Sequence, residues 1–207
     1  MRTQKSNNLI NSTSLNISAL LIAFLSLFCR VSSAQNHSCE IITDGIDLQT
    51  KTYRVELGPS MLFNFTPPEV KNDLQEDNLM KCQAQIVKIE DKTYVHLNLR
   101  INSLMAQKIY GTIDKANIMK ITLIDGKEIK LNCYAGSPGV ASQNKKAYIY
   151  PVGFELTNRD IKQLSKKEID KIGIQWSSGY EEYLIYEIDF FMNQLACLER
   201  VVNQKPN

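Results

Sequence analysis

The chain has 207 residues, with 24 basic and 22 acidic side chains, 43% hydrophobic residues and two histidines. A formal charge of +2 is too small to build a field that gathers nucleic acid or an anionic membrane surface. Two histidines leave little material for a histidine-rich metal centre, so no metal or other cofactor is expected.

Residues 1–34 carry Arg2 and Lys5, then an apolar run from Ile17 to Phe28, then small residues up to Ala34. Charged, apolar and small segments in that order predict a secretory signal peptide. The apolar run is shorter than the roughly 20 residues a spanning helix needs. Ser32 and Ala34 place cleavage after Ala34, and Arg30 inside this region leaves a retained anchor as the alternative. Cleavage takes Arg2, Lys5 and Arg30 and no acid from the chain, which turns +2 into −1. The excess of base therefore belongs to the export signal. The expected mature chain, 35–207, is a single β-rich domain, secreted or periplasmic, with no membrane span after signal cleavage.

Four cysteines remain after cleavage: Cys39, Cys82, Cys133 and Cys197. An even number in an exported chain predicts two disulfides, and the sequence does not choose among the three possible pairings. The wide spacings give no support to a zinc site of paired thiolates.

In chain order, "TYRVEL" and "SMLFNF" read as strands parted by Gly58-Pro59, and "TPPEVKNDLQEDN" as a polar loop. In "TYVHLNLRIN", Val95, Leu97, Leu99 and Ile101 alternate with polar neighbours, the period of a strand with one dry face. It should pair with Cys82–Glu90 as a hairpin. His96, on the polar face, is expected to be a surface residue. "KIYGTI" is a further strand-like segment.

The hairpin "NIMKITLIDGKEIKLNCY" allows its register to be argued. A two-residue Asp125-Gly126 loop would set Ile121 against Lys130, whereas a three-residue loop, Ile124 to Gly126, sets Ile121 against Ile129 and Met119 against Leu131. The second keeps one face apolar, with Gly126 as the left-handed residue of a bulged turn. Cys133 then faces the core. Gly136, Pro138 and Gly139 mark a loop, and "KKAYIYPVGFEL" is another strand. Thr157 and Asp160 resemble a capping box opening a short helix at "LTNRDIKQLSKKEIDKI". Phe191, Leu195 and Leu198 predict a C-terminal helix. Together these elements predict a mainly β fold, an antiparallel β-sandwich or strongly curved sheet, with one short helix and the C-terminal one.

The stretch "IGIQWSSGYEEYLIYEIDF" holds the single tryptophan. Ile172, Ile174 and Trp176 share one parity, Ser177-Ser178-Gly179 turns the chain, and Leu184, Tyr186, Ile188 and Phe190 form the next apolar face. The reading is a hairpin with Trp176 buried. The competing reading makes Trp176, Tyr180 and Tyr183 a stacking platform for a sugar, with Glu181, Glu182 or Asp189 as general acid or base. Adjacent Glu181 and Glu182 on a strand point to opposite faces, so they do not by themselves form the facing carboxylate pair that glycoside hydrolysis requires. No phosphate-binding glycine loop, dinucleotide fingerprint or calcium loop is present, and no Gly-x-Ser-x-Gly turn accompanies His96.

The succession "CQAQIVKIEDKTYVHLNLRIN", "IMKITLIDGKEIKLNC" and "FELTNRDIKQLSKKEIDKIGIQW" resembles uncharacterised exported β-rich proteins common in Bacteroidota, over roughly residues 80 to 200. The resemblance implies a bacterial envelope or extracellular setting and carries over no catalytic residue. The functional expectation is a non-enzymatic domain with a binding or envelope-structural role toward an unknown protein or glycan. A carbohydrate-active hydrolase is the alternative, and an inhibitor or immunity-type protein a weaker one.

Overall fold

The computed structural model describes residues 39–68, 78–144 and 146–204. The predicted signal peptide lies outside the described residues, as does most of the polar loop after Pro68.

The strands are β1 (Ile41–Ile46), β2 (Tyr53–Leu57), β3 (Ser60–Phe65), β4 (Met80–Ile89), β5 (Lys92–Ile101), β6 (Ile118–Leu123), β7 (Glu128–Ala135), β8 (Val140–Ala141), β9 (Tyr148–Leu156), β10 (Ile169–Trp176) and β11 (Gly179–Leu184). The helices are α1 (Ala106–Tyr110), α2 (Asn158–Leu164) and α3 (Phe190–Asn203). All strands join one antiparallel sheet in the order β1-β2-β4-β5-β9-β7-β6-β10-β11, with β3 on β4 and β8 on β9. Of the two architectures expected, a single curled sheet carries the fold. It is not closed. At its far end β11 meets β3 through Tyr183, stacked on Phe63 at 4.5 Å, and the Tyr186 N–H donates to the Leu62 carbonyl at 2.8 Å.

The alternation in β5 does what its sequence requires. Val95, Leu97, Leu99 and Ile101 are buried on the inner face, joined there by Met80, Cys82, Ala84 and Ile86 of β4 and by Tyr150, Val152, Phe154 and Leu156 of β9. The β6–β7 hairpin has the predicted register, with Ile121 opposite Ile129 and Met119 opposite Leu131. Gly126 closes it at φ +80°. Thr157 caps α2 with the full reciprocal box to Asp160.

α3 packs its apolar stripe, including Phe191, Leu195 and Leu198, against the core. Its Gln194 completes a gap on the edge of β4 between the stretch paired to β3 and the stretch paired to β2. There the Ile86 N–H donates to Gln194 Oε1 at 3.3 Å, and Gln194 Nε2 donates to the Gly58 carbonyl at 3.1 Å.

Several expectations are corrected. "KIYGTI" is no strand: Ala106 and Tyr110, four apart, bury one side of the single-turn helix α1, and Gly111 at φ +74° ends it. Ile113 makes only an isolated bridge to Ser137. β1 went unpredicted, because an edge strand open on both faces needs no alternation.

Among the described residues one disulfide is present, not the two expected. Cys39 is bonded to Cys197 across a separation of 158 residues, while Cys82 and Cys133 are buried free thiols. The reason is topological. Cys82 on β4 and Cys133 on β7 face the same core, but β5 and β9 lie between their strands. Three strand spacings amount to about 14 Å, well beyond the roughly 7 Å at which two cysteines can be bridged.

Candidate functional site

The residues singled out around Trp176 are divided between the two faces of the β10–β11 hairpin. A two-residue Ser177-Ser178 turn pairs Trp176 with Gly179, Ile174 with Glu181 and Ile172 with Tyr183. Partners in this register have opposite parity, so the core-facing residues of β11 are Glu181 and Tyr183. Of the apolar set expected there, Phe190 is buried at the start of α3, whereas Leu184 and Tyr186 are each 76% exposed and Ile188 is exposed too.

Trp176 and Tyr183 are each 1% exposed, so neither offers a ring for a ligand to stack on. They form a buried relay instead. The indole N–H donates to Tyr183 Oη at 3.1 Å, and the Tyr183 hydroxyl donates to Glu181 Oε2 at 2.8 Å. Burial, reinforced by the Glu181 carboxylate, pushes the Tyr183 phenol far above its ordinary value. Tyr110 and Tyr150 pack on the indole with centroids at 5.1 and 5.3 Å.

The outer face holds Tyr180 and Glu182. The Tyr180 ring covers Gly173, where an added Cβ would collide with it, and Lys120 lies 5.1 Å from its centroid. Glu182 takes Lys171 at 2.5 Å and Lys120 at 3.5 Å, and the Lys171 ammonium holds its carboxyl below the usual range. Asp189 precedes α3 and accepts from Asn193 Nδ2 at 2.8 Å. The structure thus brings the buried Trp176 and Tyr183 together with the partly buried Glu181 on the inner face and sets Tyr180 and Glu182 on the opposite side.

A second locality is better formed. On the outer face of the same sheet, three to six strands away from β11, an open cavity of about 320 Å³ is lined by Gln83 and Gln85 of β4, His96 and Asn98 of β5, Tyr134 of β7, Pro151 of β9 and Pro59. Its side chains are placed by register. Gln85 stands opposite His96 and Gln83 opposite Asn98, and Asn98 and His96 stand opposite Pro151 and Gly153. Gly153 makes the dent. A strand glycine lets another group approach the backbone closely, and the Tyr134 ring lies over it where a Cβ would stand. A register shift between Cys133 and Ala135 leaves Tyr134 free of a direct partner on β9. Pro151 sits on β9 between its pairings to β8 and to β7, a position where a missing N–H disturbs no ladder.

His96 is not the bare surface residue expected from its place on the polar face. It is half-buried, its Nε2 shares a hydrogen bond with Tyr134 Oη, and the two rings stack with centroids 5.8 Å apart. Burial, with help from the Arg54 guanidinium, pushes its pKa below the ordinary imidazole value, and Glu56 opposes this only in part. Burial also raises the Tyr134 phenol. Tyr94 and Val87 support the group from the same face, with the Tyr94 and Tyr134 centroids 4.1 Å apart. Behind the cavity, Gln85 Nε2 donates to Glu56 Oε1, and Arg54 Nη2 meets Glu56 Oε2 at 3.0 Å. A carboxylate can only accept, so Gln85 must turn its NH2 to Glu56 and keep its carbonyl oxygen for other partners.

Among the described residues, no group of three or more His, Cys, Asp and Glu side chains converges in a way that could hold a metal ion. No helix of the described residues is long and apolar enough to cross a membrane. Comparisons with protein-family models, with curated proteins and with solved structures find no match to the chain.

Proposed function

We propose that the chain is an exported, non-enzymatic binding domain, and that its ligand sits in the cavity on the outer face of the sheet. The observation that supports this is convergence: three side-chain amides, an imidazole and a phenol from three strands meet in one concave, open place, the arrangement small-ligand sites share. The chemistry of these groups favours holding over reacting. Gln83, Gln85 and Asn98 hydrogen-bond in both senses but carry no proton to transfer near neutral pH. His96, the one acid–base group among them, is engaged with Tyr134.

The hydrolase alternative asks for a tryptophan platform and two facing carboxylates. Trp176 is inside the core, and Glu181 and Glu182 point to opposite faces, so no observation favours it. An envelope-structural role has one observation in its favour: β1 is an edge strand with Ile41, Ile42 and Ile46 exposed, and such an edge invites pairing with another chain.

Two measurements test the proposal. The full chain, expressed in a bacterial host and fractionated, should be recovered outside the cytoplasm with its N-terminus at Gln35 by mass spectrometry. Retention in the cytoplasm overturns export. The mature chain, labelled with nitrogen-15 and titrated with envelope fractions of its host, should show moved side-chain amide signals for Gln83, Gln85 and Asn98. Signals moved only elsewhere overturn the site.

A further inference from the structure

We infer that the outer-face cavity takes an uncharged, polyhydroxylated ligand, one or two rings of a neutral glycan, an assignment that rests on the cavity being the binding site.

The first argument is charge. None of the lining residues carries a formal charge at neutral pH: the polar ones are Gln83, Gln85, His96, Asn98 and Tyr134. Imidazole and phenol both stay neutral, His96 because burial disfavours its cation and Tyr134 because burial disfavours its anion. The nearest ions, Arg54 and Glu56, are spent on each other at 3.0 Å. A phosphate, carboxylate or ammonium entering here would lose water and meet no counter-charge, a cost that hydrogen bonds alone do not recover.

The second argument is hydrogen-bond sense. An apolar ligand would cover the Gln83 and Asn98 amides and the Gln85 carbonyl oxygen and leave them without water, at about 1–3 kcal/mol for each stranded group. An amide offers both donor and acceptor. The ligand group that answers both from a single atom is a hydroxyl, and several hydroxyls at sugar spacing answer several amides at once.

The third is shape. Pro59 and Pro151 are exposed and, with the Tyr134 ring, give the polar groups a setting of C–H and aromatic surface, suited to the C–H face of a sugar ring. A volume of about 320 Å³ lies at the lower end of small-ligand cavities. It suits one or two rings, and the open mouth lets a longer chain run on into water.

A peptide fits less well. Extended peptides are held mainly by backbone hydrogen bonds to a free strand edge. This cavity lies on a sheet face floored by the continuous β4–β5 and β5–β9 ladders, and the break on the other edge of β9 is confined to Tyr150–Val152, where Pro151 has no N–H to give.

The experiment is a titration of the mature chain against defined probes, followed through the side-chain amide signals of Gln83, Gln85 and Asn98 and by calorimetry. The probes are neutral gluco-, manno- and galacto-configured oligosaccharides, the corresponding uronates and sulfated sugars, and short uncharged peptides. The expected result is that a neutral oligosaccharide moves all three amide signals, and that Gln83→Ala or Asn98→Ala weakens it about tenfold, the loss of roughly one hydrogen bond, with the unfolding midpoint unchanged. Cavity signals moved more strongly by uronate, sulfated sugar or peptide overturn the glycan assignment and leave the site standing. No movement with any probe also overturns the assignment, and the envelope-fraction titration then decides separately whether the site itself falls.

Discussion

At the scale of single residues, the Tyr183 hydroxyl joins the buried Trp176 indole, which has no water to turn to, to the partly buried Glu181 carboxylate. It accepts from Trp176 and donates to Glu181, so Tyr183→Phe keeps the stacked ring on Phe63 while leaving the indole N–H unpaired in the core. The expected loss is about 1–3 kcal/mol, read as a lower urea midpoint by fluorescence of the single tryptophan. An unchanged midpoint would mean that the relay carries no net stability. His96 supplies a pH prediction whose sign can be worked out. Its folded-state pKa lies below the ordinary imidazole value, so on acidification the unfolded chain takes up its proton first. Stability is therefore lost as pH falls through the ordinary value of about 6.5 and on toward the lower folded one, by at most about 1.4 kcal/mol per pH unit. Arg54, Glu56, Tyr94 and Tyr134 are the charged and titratable neighbours. The drop in urea midpoint between pH 7.5 and 5.5 should be smaller in His96→Gln than in the parent chain, and an equal drop would refute the assignment.

At the scale of elements, two glycines do opposite work, and substitution separates them. Gly126 has open space around its missing side chain but a left-handed backbone, so Gly126→Ala strains the turn alone, by about 1–2 kcal/mol. Gly153 sits within an ordinary strand, but a methyl there meets the Tyr134 ring. Gly153→Ala in a Tyr134→Ala background should therefore cost less than in the parent chain, a coupling that a double-mutant cycle of urea midpoints measures. The contrast also marks how far the sequence could be read. The β6–β7 register was legible because the competing two-residue loop would put Ile121 and Ile129 on opposite faces, and the capping box at Thr157 because it is local. The buried face of β10, Ile172, Ile174 and Trp176, was legible, but that of β11 was not, because turn length sets parity and Ser177-Ser178-Gly179 permits more than one length. Half of the outer-face cavity was within reach: the turn between Ile89 and Lys92 fixes Gln83 and Gln85 beside Asn98 and His96. The other half was not. Tyr134 arrives across Gly153 only because β7 lies next to β9, a long-range neighbour relation that no local spacing encodes.

At the scale of the whole molecule, the sheet is open, and its outer strands are tied down by other means than a closing ladder. The Tyr183–Phe63 stack joins β11 to β3, and Gln194 fixes α3 over the break between β2 and β3. The Cys39–Cys197 bond then fastens the start of the described chain to α3, 158 residues away. A link between positions so far apart removes much of the freedom of the unfolded chain and is worth about 2–4 kcal/mol by the usual range. The other two cysteines are safe as thiols for a separate reason. Cys82 is fully buried, and burial pushes its thiol far above the ordinary value, with Cys133 shifted the same way. Neither supplies the thiolate that exchange with the disulfide would need. Unreduced protein spanning residues 35–207 should therefore resist alkylation at pH 8 while folded and take up two alkyl groups once denatured. Four groups are expected only after reduction, and reduction should lower the urea midpoint while leaving the cavity amide signals in place, since the bond lies at α3 and the cavity on the outer face. Uptake by Cys82 or Cys133 in the folded state would show that the inner face is not sealed, and loss of the cavity signals on reduction would show that the tether and the outer face are not the separate devices this arrangement requires.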